Sequence, residues 1–331
     1  MDQIIRPRIF ITQPIGESAL ERLRAVAEVK VNKDSSRILD RQKLIAAAKK
    51  HDILFALLHD KIDRAVLVAN PKLRAVTTMA ITPDGIDLAA ATARGIAVTV
   101  VPPIVAEATA DICFGLMIAV ARRMMEGDRL VHAGGFPGSQ SNHLAGAFVW
   151  GKTVGLVGGK GRIGRAVARR AHGFSMRVLY CGPRRLPEAE ERSLGMEYRP
   201  LDELLKESDF VSLHPPLRPE TRHMIGDREF GRMKPTAFIV NTARGAIIDE
   251  AALIRALKVP KIAGAGLDVF EHEPKVASAL LKMANVVALP HLGSAVRELR
   301  EKMANIVVDN ILALLEGKRP PNIVNPEVLA H

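Results

Sequence analysis

The feature that most constrains this chain is a glycine-rich turn set between two apolar segments. Thr153 to Val157 (TVGLV) reads as a buried strand. Arg162 to Ala171 reads as a helix with Ile163, Val167 and Ala171 on one side. Between them, Gly159-x-Gly161-x-x-Gly164 has the spacing by which a β-α turn meets a pyrophosphate. Gly159 serves the tight turn, Gly161 the close backbone approach and Gly164 the close packing of helix on strand. The helix start offers unpaired N–H groups and the positive end of its dipole to the anion. Gly158 is one glycine more than this spacing requires; either the loop is longer or the strand ends one residue sooner.

The rest of the chain repeats the same alternation. In the first hundred residues, strands are expected at Arg8–Thr12, Asp52–Leu57, Leu73–Thr77 and Ile96–Val100. Helices are expected at Ser18–Ala27, Arg41–Lys50 and Asp87–Arg94. Val101-Pro102-Pro103 marks a hinge, because proline ends elements and stiffens linkers. A long helix from Val105 to Leu130 and a loop at Gly134–Gly146 follow. Beyond the glycine turn come strands at Met176–Tyr180, Phe210–Leu213, Ala237–Asn241, Ile262–Leu267 and Asn285–Leu289. They alternate with helices at Leu201–Lys206 and Glu250–Leu257, and a last helix covers Ala295–Glu316. At 331 residues, the chain is long enough for about two domains. The fold class expected is α/β, with two doubly wound parallel-sheet units.

Composition narrows the partners. The net charge is +11, but the basic residues are scattered and aromatics are only 4%, so no aromatic-basic stripe favours nucleic acid. The apolar run Ile112–Val120 is too short to span a bilayer. The start shows no signal peptide, and two cysteines, Cys113 and Cys181, make no disulfide framework. A cytoplasmic protein is expected. His and Cys do not cluster, and His272-Glu273 lacks a second His at helical spacing, so no metal site is expected.

The end of the strand after the glycine turn discriminates cofactors. An acid about 20 residues on would hold the ribose hydroxyls of NAD. Here the sequence is Tyr180-Cys181-Gly182-Pro183-Arg184-Arg185. Gly182 leaves room, and Arg184 and Arg185 suit a 2′-phosphate. NADP(H) is favoured over NAD(H), which stays the alternative.

Three polar residues follow strand ends, where doubly wound sheets present ligand-facing groups: Arg244, Glu273 and His291. Singly, each is weak. An Arg in a loop, a Glu in Glu271-His272-Glu273-Pro274 and a His after a strand are all ordinary surface or core residues. Together they suit carbonyl reduction. An Arg holds a carboxylate and polarises the adjacent ketone, a His donates a proton, and a carboxylate stabilises the imidazolium.

Asn241-Thr242-Ala243-Arg244-Gly245, Gly266-Leu267-Asp268-Val269-Phe270-Glu271-His272-Glu273-Pro274 and Pro290-His291-Leu292-Gly293-Ser294 resemble the blocks of the D-isomer-specific 2-hydroxyacid dehydrogenases. Glu107 to Asp111 resembles the block opening that family's long helix. The resemblance implies an NADP(H)-preferring reductase of small 2-oxoacids of the glyoxylate or hydroxypyruvate kind. The alternatives are a dehydrogenase of a sugar acid such as 2-ketogluconate and a non-catalytic dinucleotide sensor. It implies that Arg244 binds substrate, that His291 is the acid/base and that Glu273 is its partner. Asp268 falls at the nicotinamide end, Arg162 and Ile163 under the pyrophosphate, and His214-Pro215-Pro216 beside the adenosine, with Thr242 and Gly293 also binding the cofactor. The substrate carboxylate meets backbone N–H groups at Ile81 and Thr82, where Thr82 and Pro83 depart from the family pattern. It further implies a flavodoxin-like substrate domain (1–102 plus 291–331), a Rossmann nucleotide-binding domain (103–290), an active site in the cleft between them, and a homodimer.

Overall fold

The computed structural model describes residues 6–329; the outermost ends of the expected first domain, residues 1–5 and 330–331, lie outside the described residues. The N-terminal segment alternates β1 (Arg8–Ile11), α1 (Glu17–Val26), β2 (Glu28–Val31), α2 (Arg41–Ala48), β3 (Ile53–Ala56), α3 (Arg64–Val68), β4 (Ala75–Thr78), α4 (Leu88–Ala93) and β5 (Ala97–Thr99). Then come α5 (Ala106–Ala121), α6 (Met124–His132), β6 (Thr153–Val157), α7 (Arg162–Gly173), β7 (Arg177–Cys181), α8 (Glu188–Leu194), β8 (Met196–Tyr198), α9 (Leu201–Glu207) and β9 (Phe210–Leu213). The chain continues through α10 (Asp227–Phe230), β10 (Phe238–Asn241), α11 (Glu250–Lys258), β11 (Gly264–Leu267), α12 (Ser278–Leu281), β12 (Val286–Ala288) and α13 (Arg297–Leu315).

The chain forms two compact units. One gathers the residues up to Ile104 and those from Val296 onward; the other is Val105–Ala295. The first holds a five-stranded parallel sheet in the order β2-β1-β3-β4-β5, the flavodoxin-like winding. Its central strands β3 and β4 are buried at every residue, as a parallel sheet with both faces covered requires. Asp40, Asp63 and Asp87 begin α2, α3 and α4, each side chain accepting from a backbone N–H of the first turn. The C-terminal tail returns to this unit, where Val98 N donates to Asn325 Oδ1 at 2.8 Å. Arg22 of α1 reaches Asn305 and Asp309 of α13.

The second unit holds a seven-stranded parallel sheet, β12-β11-β10-β9-β6-β7-β8. Side chains alternate between its faces. Val157, Leu213 and Ile239 enter one core with α11, while Leu156, Phe210 and Val240 enter another with α5 and α7. The winding reverses between β6 and β9, and loops leave such a switch point in opposite directions.

Two differences from the sequence reading have physical causes. The helix expected over Val105–Leu130 is two helices. Arg123 lies in the left-handed region, with φ 53°, and its guanidinium bonds Glu126 at 2.9 and 2.8 Å. That residue turns the chain before α6 begins. The boundary expected after 290 falls after 295. His291, Leu292 and Gly293 are tied by their N–H groups to Asp268. Among the described residues, no helix is long and apolar enough to cross a membrane.

Candidate active site

The glycine turn is built as follows. β6 ends at Val157, and Gly158 adopts φ 78° while donating to Cys181 O at 2.9 Å. A Cβ on Gly158 would also lie 2.8 Å from Pro215 N. The extra glycine is therefore the left-handed turn residue itself, which is the conformation glycine best tolerates. Gly164 packs α7 against the turn, since a Cβ there would lie 2.3 Å from Gly159 O. Arg162 and Ile163 open α7.

The two arginines after β7 are placed differently. Arg185 donates through Nε and Nη2 to both oxygens of Glu191, at 2.8 and 2.7 Å, with its guanidinium 5.9 Å above the Tyr198 ring. Tyr180 Oη donates to Glu191 Oε1 at 2.5 Å and accepts from Leu186 N at 2.7 Å. The Arg185 guanidinium holds the Glu191 carboxyl down to about 2. Arg184, two residues past Gly182, is exposed and makes no ion pair among the described residues.

At the switch point, His214 follows β9 and donates its backbone N–H to Val157 O at 2.8 Å. Ser212 Oγ lies 2.9 Å from His214 Nε2 and 3.0 Å from the buried Cys113 Sγ. Burial pushes the imidazole down to about 4, so it is neutral at neutral pH. Its Nδ1 is enclosed without a hydrogen-bond partner among the described residues, and so is Thr242 Oγ1. These atoms follow the register pair Leu213–Asn241 on neighbouring strands. Buried polar atoms are normally satisfied, so a polar ligand at this sheet edge fits them.

Arg244 is set by Asn241. The Asn241 side chain donates to Arg244 O at 2.9 Å and accepts from Ala243 N at 3.0 Å, pinning the turn after β10. Glu273 and His291 are brought together. His291 Nδ1 lies 3.0 Å from Glu273 Oε2, and Glu273 Oε1 accepts from Phe270 N at 2.9 Å. A carboxylate only accepts, so Nδ1 carries the proton of this bond. His291 itself holds φ 57°, an uncommon conformation for a side-chain-bearing residue. Asp268 fixes it there: Asp268 O accepts from His291 N at 2.9 Å. Its carboxylate accepts from Leu292 N at 2.6 Å and Gly293 N at 2.8 Å. Burial pushes the Asp268 carboxyl up.

Ile81 and Thr82 stand in the first unit, after β4, both half-buried. Their loop is steadied by Ala80 N donating to Thr78 Oγ1 at 3.1 Å and Ile86 N donating to Pro83 O at 2.8 Å. Pro215 is buried and Pro216 exposed. The structuring parts of Asn241 and Glu191 carry no signal in periodicity; an Asn closing a strand just before a turn is the cue that could have marked the first.

Residues 114–293 match the family model described as the D-isomer specific 2-hydroxyacid dehydrogenase, NAD binding domain. The chain is 46% identical over 329 residues to a glyoxylate reductase of Thermococcus litoralis, covering 98% of each. It is 48% identical over 327 residues to a glyoxylate reductase of Korarchaeum cryptofilum, again covering 98% of each. It resembles the solved structure of an NADPH-dependent glyoxylate/hydroxypyruvate reductase of Sinorhizobium meliloti in complex with NADP and malonate. That match has a TM-score of 0.81 and 31% identity, and covers 97% of each chain.

Proposed function

The chain belongs to the D-isomer-specific 2-hydroxyacid dehydrogenase family, and we propose that it reduces small 2-oxoacids of the glyoxylate or hydroxypyruvate type to D-2-hydroxyacids, with NADP(H) preferred over NAD(H). The observation that carries this reading is the His291 Nδ1–Glu273 Oε2 bond of 3.0 Å, which pairs an imidazole with a carboxylate. The names of the relatives above point to the same substrates.

When bound, the dinucleotide supplies the hydride. In this reading Arg244 pairs its planar guanidinium with the substrate carboxylate and polarises the neighbouring carbonyl. His291 delivers a proton from Nε2 to the carbonyl oxygen, and Glu273 stabilises the imidazolium it starts from. Asp268 acts by holding the His291–Gly293 backbone. In the second unit Gly159, Gly161, Arg162, Ile163 and Gly164 meet the pyrophosphate, and Gly182 leaves room for the adenosine ribose. Arg184 meets the 2′-phosphate. His214, Pro215, Thr242 and Gly293 complete the sheet edge, where the unpartnered His214 Nδ1 and Thr242 Oγ1 support a polar ligand.

The proposal includes a cytoplasmic homodimer. α6 has no buried residue. Val131, Phe136, Phe148 and Trp150, on α6 and the segment after it, are 58–73% exposed. Monomers rarely leave so many large apolar groups in one stretch uncovered. Cys113 and Cys181 are buried free thiols, as a reducing compartment permits.

The test is turnover. Purified protein with glyoxylate or hydroxypyruvate should oxidise NADPH faster than NADH, followed at the nicotinamide absorbance. His291→Ala should lower kcat by about 10²–10⁴-fold with folding intact. Absence of dinucleotide oxidation with every 2-oxoacid tried would refute the proposal.

A further inference from the structure

Glu271 stands two residues before Glu273 on the segment after β11, and it engages a different set of partners. Its Oε1 accepts from His223 Nε2 at 2.5 Å and from Arg222 Nη2 at 3.3 Å. Its own N–H donates to Glu250 Oε2 at 3.2 Å, and Glu250 N approaches its Oε2 at 3.4 Å. Its side chain is only 9% exposed. An ion pair on an open surface is worth little; here the carboxylate is enclosed where three loops meet, while the His223 and Arg222 side chains are 40% and 52% exposed.

Those loops carry the candidate catalytic groups. His223 belongs to the loop after β9, and its backbone N–H donates to Ala246 O at 2.8 Å. Ile225 N donates to Ile247 O at 3.2 Å. Ala246 and Ile247 lie two and three residues after Arg244. At Gly245 the contact with the third loop is so close that a Cβ would lie 1.9 Å from the Phe270 carbonyl carbon. His223 also holds φ 52°, a conformation that persists only where the surroundings impose it.

We propose that Glu271, held by His223 and Arg222, is the positioning residue that sets Glu273 against His291. The inference rests on the reading of Glu273 and His291 as the acid–base pair. The geometry gives the link. Glu273 bonds His291 and accepts from Phe270 N. The Phe270–Glu271 backbone is in turn fixed by the Glu271 side chain and by Gly245. Releasing Glu271 frees the peptide that aims Glu273, and small misplacements of a catalytic group are costly.

Steady-state kinetics on the full chain tests this. Glu271→Ala should lower kcat/KM for the 2-oxoacid by about 10–100-fold, through kcat, and leave KM for the dinucleotide within about twofold. Glu271→Gln keeps an acceptor for His223 and should recover most of the loss. In a Glu273→Gln background, Glu271→Ala should add less than about threefold, because the group it positions has already been altered. Equal losses in the two backgrounds would overturn the proposal, as would a fully active Glu271→Ala. If Glu271→Ala does not fold, His223→Ala carries the same cycle. His291→Ala separates the two readings. Its collapse alongside a silent Glu271→Ala defeats only the positioning role, while full activity of His291→Ala defeats the acid–base assignment itself.

Discussion

Arg184 and Arg185 are adjacent in sequence, yet they should fail differently when removed. Both donor edges used by Arg185 are taken by Glu191, whereas Arg184 is exposed without an ion pair among the described residues. If Arg184 meets the 2′-phosphate, Arg184→Ala removes one charge-assisted hydrogen-bonding group. Such bonds contribute about 1.5–3 kcal/mol, and solvent exposure selects the lower end. Since about 1.4 kcal/mol is tenfold, KM for NADPH should rise about tenfold. KM for NADH, which has no 2′-phosphate, should change less than about twofold. Arg185→Ala should keep the NADPH-to-NADH ratio. It should instead lower the melting temperature, because Glu191, 6% exposed, loses its counter-charge. Initial rates with each dinucleotide at saturating 2-oxoacid, alongside thermal denaturation, separate the two outcomes. A selective NADPH defect in Arg185→Ala, or an equal defect for both dinucleotides in Arg184→Ala, would refute the reasoning.

Other consequences can be checked with single variants. Asp268→Asn places an amide among the N–H groups of Leu292 and Gly293, losing at least one charged acceptor. A loss of about 1–3 kcal/mol is expected, from one buried N–H left unsatisfied, read by denaturant unfolding; a change below about 0.5 kcal/mol would show the clasp is dispensable. Glu191, held to about 2 against an ordinary 4.5, contributes stability that is present above pH 4.5 and lost as pH falls toward 2. The melting-temperature gap between the parent and Glu191→Gln should narrow across that window, and a pH-independent gap would exclude the linkage. If the proposed dimer forms through the stretch after α6, the parent should be dimeric by light scattering and Phe148→Asp with Trp150→Asp monomeric; a parent already monomeric would remove the interface.

Some of this was legible in the sequence and some was not, for identifiable reasons. β6 and β9 occupy the spans read for them, Thr153–Val157 and Phe210–Leu213, because apolar runs bounded by turn residues mark buried strands. The short elements β2, β8, α3, α8, α10 and α12 escaped, having too few residues to show a period. The break at Arg123 escaped because left-handed backbone leaves no trace in hydrophobic spacing. At the site, residue types after strand ends singled out Arg244, Glu273 and His291. What orients them is less visible. Glu271 reads as one more solvated carboxylate until His223, 48 residues away, is folded against it. Arg185 reads as an available cation until α8 brings Glu191 to it.

The left-handed turn at Arg123 has a consequence for how this protein can change. The stretch that builds the interior of the second unit, α5, ends before the turn, and the helix after it contributes no buried residue. In the proposed homodimer, folding and assembly therefore draw on separate vocabularies of sequence. There, α6 would be free to drift in length, charge or apolar content and so alter which copies recognise one another, without touching the buried residues that α5 gives to the second unit.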